Sequence, residues 1–327
     1  MRRATRIVWC RLLTGAAIGL AVGTASAVAQ SFPSQDLHFI TAYQPGSSSD
    51  TIVRFIAERM RPLAGRTIIV ENKPGANGNI ATEYAARAKP DGHTVFIHAG
   101  SALAANMHLF KKPPVDVATA IQVVGTINRQ AFMLAVDAKS PYRSLADLTA
   151  AMKQKGAKGS YATYAATATI MGELYKKAAG LQTVEVAYKI GADTLNDLKS
   201  GALDYGMYDP TFAVAQHRNG TLRILGVASA DRLQASPDLP TMREQGVDID
   251  LPVWFGAMVP AGTPKPVVDQ LSGWLNKVVA MDETKKFLNG FGSDPWISKP
   301  EDAQARLLKD IKDWGDYVKA ANIQPQG

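Results

Sequence analysis

Short apolar strand patterns and amphipathic helical patterns alternate along nearly the whole of this 327-residue chain. That alternation restricts the fold more than any single motif, because strand–helix–strand repeats build βαβ units. Strand patterns run over 37–43, Thr67–Val70, Thr94–Ile97, 132–136, Val184–Ala187, Tyr205–Tyr208 and Leu222–Val227. Helical patterns run over 50–63, 78–88, Leu145–Lys153, 170–178, 193–200 and Val267–Val279. The first helix shows its period in Ile52, Phe55, Ile56, Met60 and Leu63, which share one face. Ser298-Lys299-Pro300-Glu301 reads as a capping box with proline early in the last helix. That helix presents Leu307, Leu308, Ile311, Trp314 and Val318, a face expected to pack on the N-terminal half. The expected fold class is α/β with largely parallel sheets.

The N-terminus has the pattern of an address rather than of a fold. Arg2, Arg3, Arg6 and Arg11 precede an apolar run from Leu12 to Val22, and small residues offer Ala25-Ser26-Ala27 or Ala27-Val28-Ala29 for cleavage. Residues 1–29 are therefore read as a cleaved secretory signal peptide, which places the mature chain in the periplasm. The run is too short to span a bilayer. Cleavage would remove four of 36 basic residues and none of 29 acidic ones, leaving 32 − 29 = +3. No basic helix or arginine cluster interleaved with aromatics remains to suggest a nucleic-acid partner. The single cysteine, Cys10, lies before the apolar run, so the mature chain has no disulfide framework and must rely on its core. The length suits two domains or one large one.

The loops that follow strands are rich in small polar residues. In open α/β sheets, ligands sit beyond the carboxyl ends of strands. The first such loop, Tyr43-Gln44-Pro45-Gly46-Ser47-Ser48-Ser49-Asp50, leads directly into a helix. It aims hydroxyls and free backbone N–H groups at one point at the positive end of that helix, an arrangement that captures an anion, most simply a carboxylate. The same residues could serve only as helix caps. Four further loops have the same character: Pro74–Asn79, Ala99-Gly100-Ser101, Thr163-Tyr164-Ala165-Ala166-Thr167 and Asp209-Pro210-Thr211. Five together favour a binding cleft over plain turn chemistry.

Catalytic signatures are absent. The chain contains no G-x-S-x-G elbow, P-loop, G-x-G-x-x-G fingerprint or H-E-x-x-H. His93 and His98 flank one strand without sharing a face, and His38, His108 and His217 are scattered, so no metal site and no cofactor are expected. Asp204 and Asp209 sit at the two ends of one strand rather than forming a carboxylate pair. The absence of a motif does not exclude a triad assembled by geometry.

At these residues the chain resembles the Bug-type substrate-binding proteins of tripartite tricarboxylate transporters. The resemblance rests most on Val70-Glu71-Asn72-Lys73-Pro74-Gly75-Ala76-Asn77-Gly78-Asn79-Ile80 and Ala88-Lys89-Pro90-Asp91-Gly92-His93-Thr94. It continues in Tyr188-Lys189 with Asp197-Leu198 and Gly201, in Trp254-Phe255-Gly256 and in Pro260-Ala261-Gly262-Thr263-Pro264. The chain departs from the family pattern where Ser47 replaces a glycine, where the 163–167 loop is shorter and lacks two glycines, and at Ile190, which stands for the glycine after Tyr188-Lys189.

The resemblance implies a two-domain periplasmic binding protein of type II-like fold. Domain 1 would comprise residues 31–130 plus 252–327 and domain 2 residues 131–251, with hinge crossings near 127–135 and 250–257. It implies a monomeric receptor, not an enzyme, that closes on a small carboxylate (a di- or tricarboxylate, or an aromatic carboxylate) and delivers it to membrane permease subunits. Ser47, Ser48, Ser49, Asn77 and Ser101 would grip the ligand from domain 1, and Thr163, Thr167, Tyr188 and Asp209 from domain 2. Tyr43 and Tyr164 would face each other as flat walls, each offering a hydroxyl, unless Tyr164 points to solvent or packs under its loop. A receptor serving a membrane sensor kinase and a secreted hydrolase stand as alternatives.

Overall fold

The computed structural model describes residues 32–327. The expected signal peptide lies outside the described residues. The strands, in chain order, are β1 (Leu37–Thr41), β2 (Ile68–Asn72), β3 (Thr94–Ala99), β4 (Ile121–Ala131), β5 (Met133–Asp137), β6 (Ser160–Thr163), β7 (Val184–Ala187), β8 (Tyr205–Tyr208), β9 (Leu222–Val227), β10 (Pro252–Pro260) and β11 (Asp294–Pro295). The helices are α1 (Ser48–Ala64), α2 (Asn79–Ala86), α3 (Gly100–Leu109), α4 (Val117–Ala120), α5 (Leu145–Lys155), α6 (Ala166–Ala179), α7 (Thr194–Ser200), α8 (Pro210–Arg218), α9 (Lys265–Ala280), α10 (Asp282–Gly290) and α11 (Pro300–Ala320).

These strands form two sheets. One is six-stranded in the order β11-β4-β10-β3-β1-β2, and the other five-stranded in the order β7-β6-β8-β5-β9. Within each sheet the βαβ units pair in parallel: β1 with β2 and β3, and β6 with β7 and β8. The sheets are nevertheless mixed rather than largely parallel. β10 runs antiparallel to both β3 and β4, and β5 antiparallel to both β8 and β9. The cause is the connectivity. β5 and β10 are the strands on which the chain enters each sheet from the other, Ala131 to Met133 and Val227 to Pro252, so neither is reached through a crossover helix from a strand of its own sheet.

Three of the expected strands have the expected limits, Val184–Ala187, Tyr205–Tyr208 and Leu222–Val227. α1, α2, α5, α6, α7, α9 and α11 occupy expected helical segments, with α6 beginning at Ala166 rather than near 170. α3, α8, α10, β4, β6 and β10 had no counterpart in the sequence patterns. α3 buries Leu103, Ala104, Ala105, Asn106 and Leu109 around much of its circumference, so it has no polar face to mark a period.

The last helix docks on the N-terminal half as expected, packing on α3 and β4. Leu307, Trp314 and Val318 are buried, whereas Leu308 is 46% exposed and belongs to the outer face. Ser298 is not its cap. The N-cap is Lys299, and Ser298 Oγ accepts from Thr126 N–H at 3.0 Å, tying the entry of α11 to β4 instead. Trp254, fully buried, donates through Nε1 to Asp310 at 2.6 Å and links β10 to α11. The indole also forces glycine at position 100, where an added Cβ would lie 2.1 Å from Trp254 Cζ2.

Candidate ligand-binding site

The loop from β1 to α1 is fixed by a reciprocal cap. Ser47 is the N-cap, and its Oγ accepts from Asp50 N–H at 3.2 Å. Asp50, 1% exposed, accepts in turn from Gly46 N–H at 2.8 Å, Arg54 Nε at 2.9 Å and Asn72 Nδ2 at 2.7 Å. Burial raises the carboxyl pKa, but the bonds from Arg54, Asn72 and Gly46 outweigh it and hold Asp50 below the usual carboxylate range. With Ser47 and Asp50 engaged in this way, the N–H groups of Ser48 and Ser49 in the first turn have no acceptor among the described residues.

The β2–α2 loop is held in an unusual conformation. Gly75, Ala76, Asn77 and Gly78 carry φ values of 128°, 47°, 51° and 91° in succession. Two of these are not glycine, so the backbone stores strain that the surroundings must enforce. Asn106 on α3 supplies part of that enforcement. Its Nδ2 donates to Asn77 O and to Asn79 Oδ1, both at 2.9 Å.

The helix starts that follow β3 and β6 lack side-chain caps altogether. α3 begins after Ala99 and α6 after Ala165 without a side-chain hydrogen bond, so their first-turn N–H groups stay available. α8 begins after Asp209, which accepts from Phe212 N–H at 3.0 Å, with Pro210 in the first turn. Asp209 also accepts from the Tyr164 hydroxyl, and its own N–H donates back to that hydroxyl at 2.8 Å.

All five of these helix starts border one cavity of about 680 Å³. Ser48 and Ser49 of α1, Asn77 and Gly78 ahead of α2, and Ser101 and Ala102 of α3 line it from the six-stranded sheet. Ala166 and Thr167 of α6 and Thr211 of α8 line it from the five-stranded sheet. Five helix N-termini thus converge on a space where Lys189 and Asp209 are the lining side chains with a formal charge, and the Asp209 carboxylate offsets the positive end of α8. The middle of the cavity is apolar. Tyr43 stacks on Phe255 with ring centroids 5.3 Å apart, and Phe132, Ala105, Leu109 and Val253 continue the surface.

Of the residues singled out from the sequence, Tyr43, Ser47, Ser48, Ser49, Asn77, Ser101, Tyr164, Thr167 and Asp209 lie on this cavity. Thr163 and Tyr188 are not among its lining residues. The Thr163 hydroxyl donates to Glu185, and the Tyr188 hydroxyl donates to Asp197 at 2.5 Å. Tyr188 and Lys189 follow the end of β7, and it is Lys189 that lines the cavity. The two tyrosine hydroxyls expected to face a ligand are also engaged by protein. Tyr43 OH accepts from Ala99 N–H at 3.1 Å, and Tyr164 OH is bound to Asp209. Their rings, not their hydroxyls, form the walls. Asp204 is tied to Lys155 and to Ser160 N–H, so it forms no carboxylate pair with Asp209.

Sequence patterns missed His98, Lys189, Gln130, Phe132 and Phe255, which also line the cavity. His98 stands near the end of β3, one residue before the Ala99-Gly100-Ser101 loop, and burial lowers its pKa to about 4, so the imidazole is neutral at physiological pH. Among the described residues no group of His, Cys, Asp and Glu could hold a metal ion, and no helix is long and apolar enough to cross a membrane.

Comparison with known proteins gives a consistent result. A UPF0065 protein of Bordetella bronchiseptica is 29% identical over 316 residues, covering 96% of this chain and 94% of that protein. BugT of Bordetella pertussis is 26% identical, with 93% of this chain and 96% of BugT covered. Among solved structures, the periplasmic binding protein BugD superposes with a TM-score of 0.77 at 28% identity, over 90% of this chain and 100% of BugD. R. palustris Rpa4515, solved with adipate, gives a TM-score of 0.80 at 28% identity with the same coverage. The family model described as the tripartite tricarboxylate transporter family receptor matches residues 52–323, and the chain belongs to that family.

Proposed function

We propose that this chain is a periplasmic receptor that captures a small carboxylate between two lobes and presents it to the membrane permease of a tripartite tricarboxylate-type transporter. The observation that carries this reading is the convergence of five helix N-termini, drawn from both sheets, on one cavity. Helix N-termini offer N–H donors and a positive potential, and a carboxylate takes both. Residues 31–130 with 252–327 would form one lobe and 131–251 the other. The hinge would lie where the chain changes sheet, and closure would follow contacts made to both lobes.

Ser48, Ser49, Asn77 and Ser101 would hold one carboxylate from the first lobe, and Thr167 and Lys189 would meet the other end of the ligand from the second. Each hydrogen bond to a charged group contributes roughly 1.5–3 kcal/mol, so three or four give micromolar binding after ordering costs. The aromatic walls and the size of the cavity favour an aromatic carboxylate or an extended dicarboxylate over a compact one. The adipate held by the related Rpa4515 fits that class. A receptor is favoured over a hydrolase because both nitrogens of His98, the histidine on the cavity, lack a partner among the described residues, so no Ser–His pair is assembled there.

A thermal-shift panel of adipate, succinate, citrate, benzoate and terephthalate tests the reading. A ligand at a hundred times its Kd adds about 2.7 kcal/mol of stability. Adipate, benzoate or terephthalate should give the largest shift. Turnover of an ester or amide panel, with no carboxylate stabilising the protein, would overturn it.

A further inference from the structure

His98 and Gln130 are the buried side chains of this cavity with unanswered hydrogen-bonding capacity. His98 is 4% exposed, and neither ring nitrogen has a partner among the described residues. Gln130 is 7% exposed, and its Oε1 likewise has none. Both line the cavity. The imidazole is clamped rather than loose. It stacks on Phe96 with centroids 5.3 Å apart, lies 4.9 Å from the Tyr43 ring, and presses Nε2 against Gly78, where an added Cβ would sit 2.6 Å away. β10 separates the two residues. His98 pairs with Gly256 and Gln130 with Val253, and Val253 and Phe255 form the cavity surface between them.

A neutral imidazole offers one donor and one acceptor, and an amide oxygen is an acceptor only. A carboxylate, which only accepts, can answer the imidazole N–H but neither acceptor. A hydroxyl can answer either residue, since it both donates and accepts. Buried polar groups are ordinarily paired, and a site built to hydrogen-bond a hydroxyl discriminates strongly against the analogue that lacks it.

We propose that His98, supported by Gln130, reads a hydroxyl on the ligand, so that this receptor selects hydroxylated carboxylates over their deoxy counterparts. The inference rests on the carboxylate reading given above and names the substrate class within it.

Calorimetry on the mature protein tests it with three pairs: 4-hydroxybenzoate against benzoate, malate against succinate, and 3-hydroxyadipate against adipate. In at least one pair the hydroxylated acid should bind at least tenfold tighter. His98→Leu should bring that ratio to within about twofold of one. His98→Gln, which keeps a donor and an acceptor, should retain part of the preference, and Gln130→Leu gives a second variant should His98→Leu fail to fold. Equal or tighter binding of every deoxy acid would overturn the inference while leaving the carboxylate reading standing. So would a preference that survives both His98→Leu and Gln130→Leu. Failure of all six acids to bind would overturn the carboxylate reading and this inference with it.

Discussion

Replacing Asp50 with alanine probes the link between the fold and the proposed grip. The Asp50 side chain is 1% exposed and joins three elements: Gly46 in the loop, Arg54 one turn along α1, and Asn72 at the end of β2. Removing it strands the Gly46 N–H and one N–H of the Asn72 amide, whose nitrogen also donates to Tyr43 O at 2.9 Å. Arg54 is half exposed and can turn to water, so its pair adds little. Hydrogen bonds to a charged acceptor are worth about 1.5–3 kcal/mol each, and two such losses, partly recovered by water, give about 3 kcal/mol. At about 2.1 cal/mol/K per residue, roughly 300 ordered residues have an unfolding entropy near 0.6 kcal/mol/K, so Tm should fall by about 5 °C. Affinity for the best carboxylate should also fall at least tenfold, because the free N–H groups of Ser48 and Ser49 lose the frame that aims them. Thermal unfolding and titration calorimetry on the same preparation measure both quantities. A variant that melts within 1 °C of the parent would refute the structural reasoning. One that is destabilised but binds as tightly as the parent would show that the start of α1 does not hold the ligand.

Three further outcomes follow from the same geometry. Ser47→Ala removes the cap and should cost about 1 kcal/mol of stability, whereas Ser48→Ala, which caps nothing, should leave the melting curve unchanged and weaken carboxylate binding by about 1–2 kcal/mol. Tyr188→Phe should alter stability alone, with ligand affinity unchanged, because its hydroxyl is spent on Asp197 away from the cavity. His98 supplies a pH dependence. Its folded pKa is about 4 against an ordinary 6.5, so the folded state binds fewer protons in that window. The stability tied to its neutral form is complete above pH 6.5 and is lost as pH falls toward 4, by about 2 kcal/mol on reaching pH 5. Urea titrations at pH 7 and pH 5 should show His98→Gln losing about 2 kcal/mol less than the parent, and identical losses would contradict the assignment.

Much of the fold was legible because strand and helix periods are local. β7, β8 and β9 alternate strand residues between clear turns and were delimited to the residue. β4 and β10 were not, because they are long and largely buried on both faces, and Pro252–Pro260 in particular is apolar throughout, with no polar face to announce its period. The site was legible as loops. Ser48, Asn77 and Ser101 lie on one cavity because β1, β2 and β3 are parallel strands that end at a common edge, and Thr167 reaches it from the end of β6 in the other sheet, a rule that needs no side-chain detail. Side-chain direction was harder to read. Tyr188 and Lys189 differ by one residue, and the course of the loop beyond β7, which a linear pattern does not give, decides which of them reaches the cavity. His98, Gln130 and Phe255 come together through the register of β3, β10 and β4, which joins residues more than a hundred positions apart and leaves no mark in a linear pattern.

The central claim, that helix N-termini hold a carboxylate, is tested most directly by titrating the best acid of the panel against its own primary amide. The two have nearly the same shape and differ in charge at one end. If first-turn N–H groups and their positive potential hold that end, the amide should bind at least a hundredfold more weakly, a loss of about 2.7 kcal/mol. The penalty should persist at 1 M salt, because short-range contacts inside a cavity are screened far less than surface charges. An amide that binds within threefold of the acid would contradict the account.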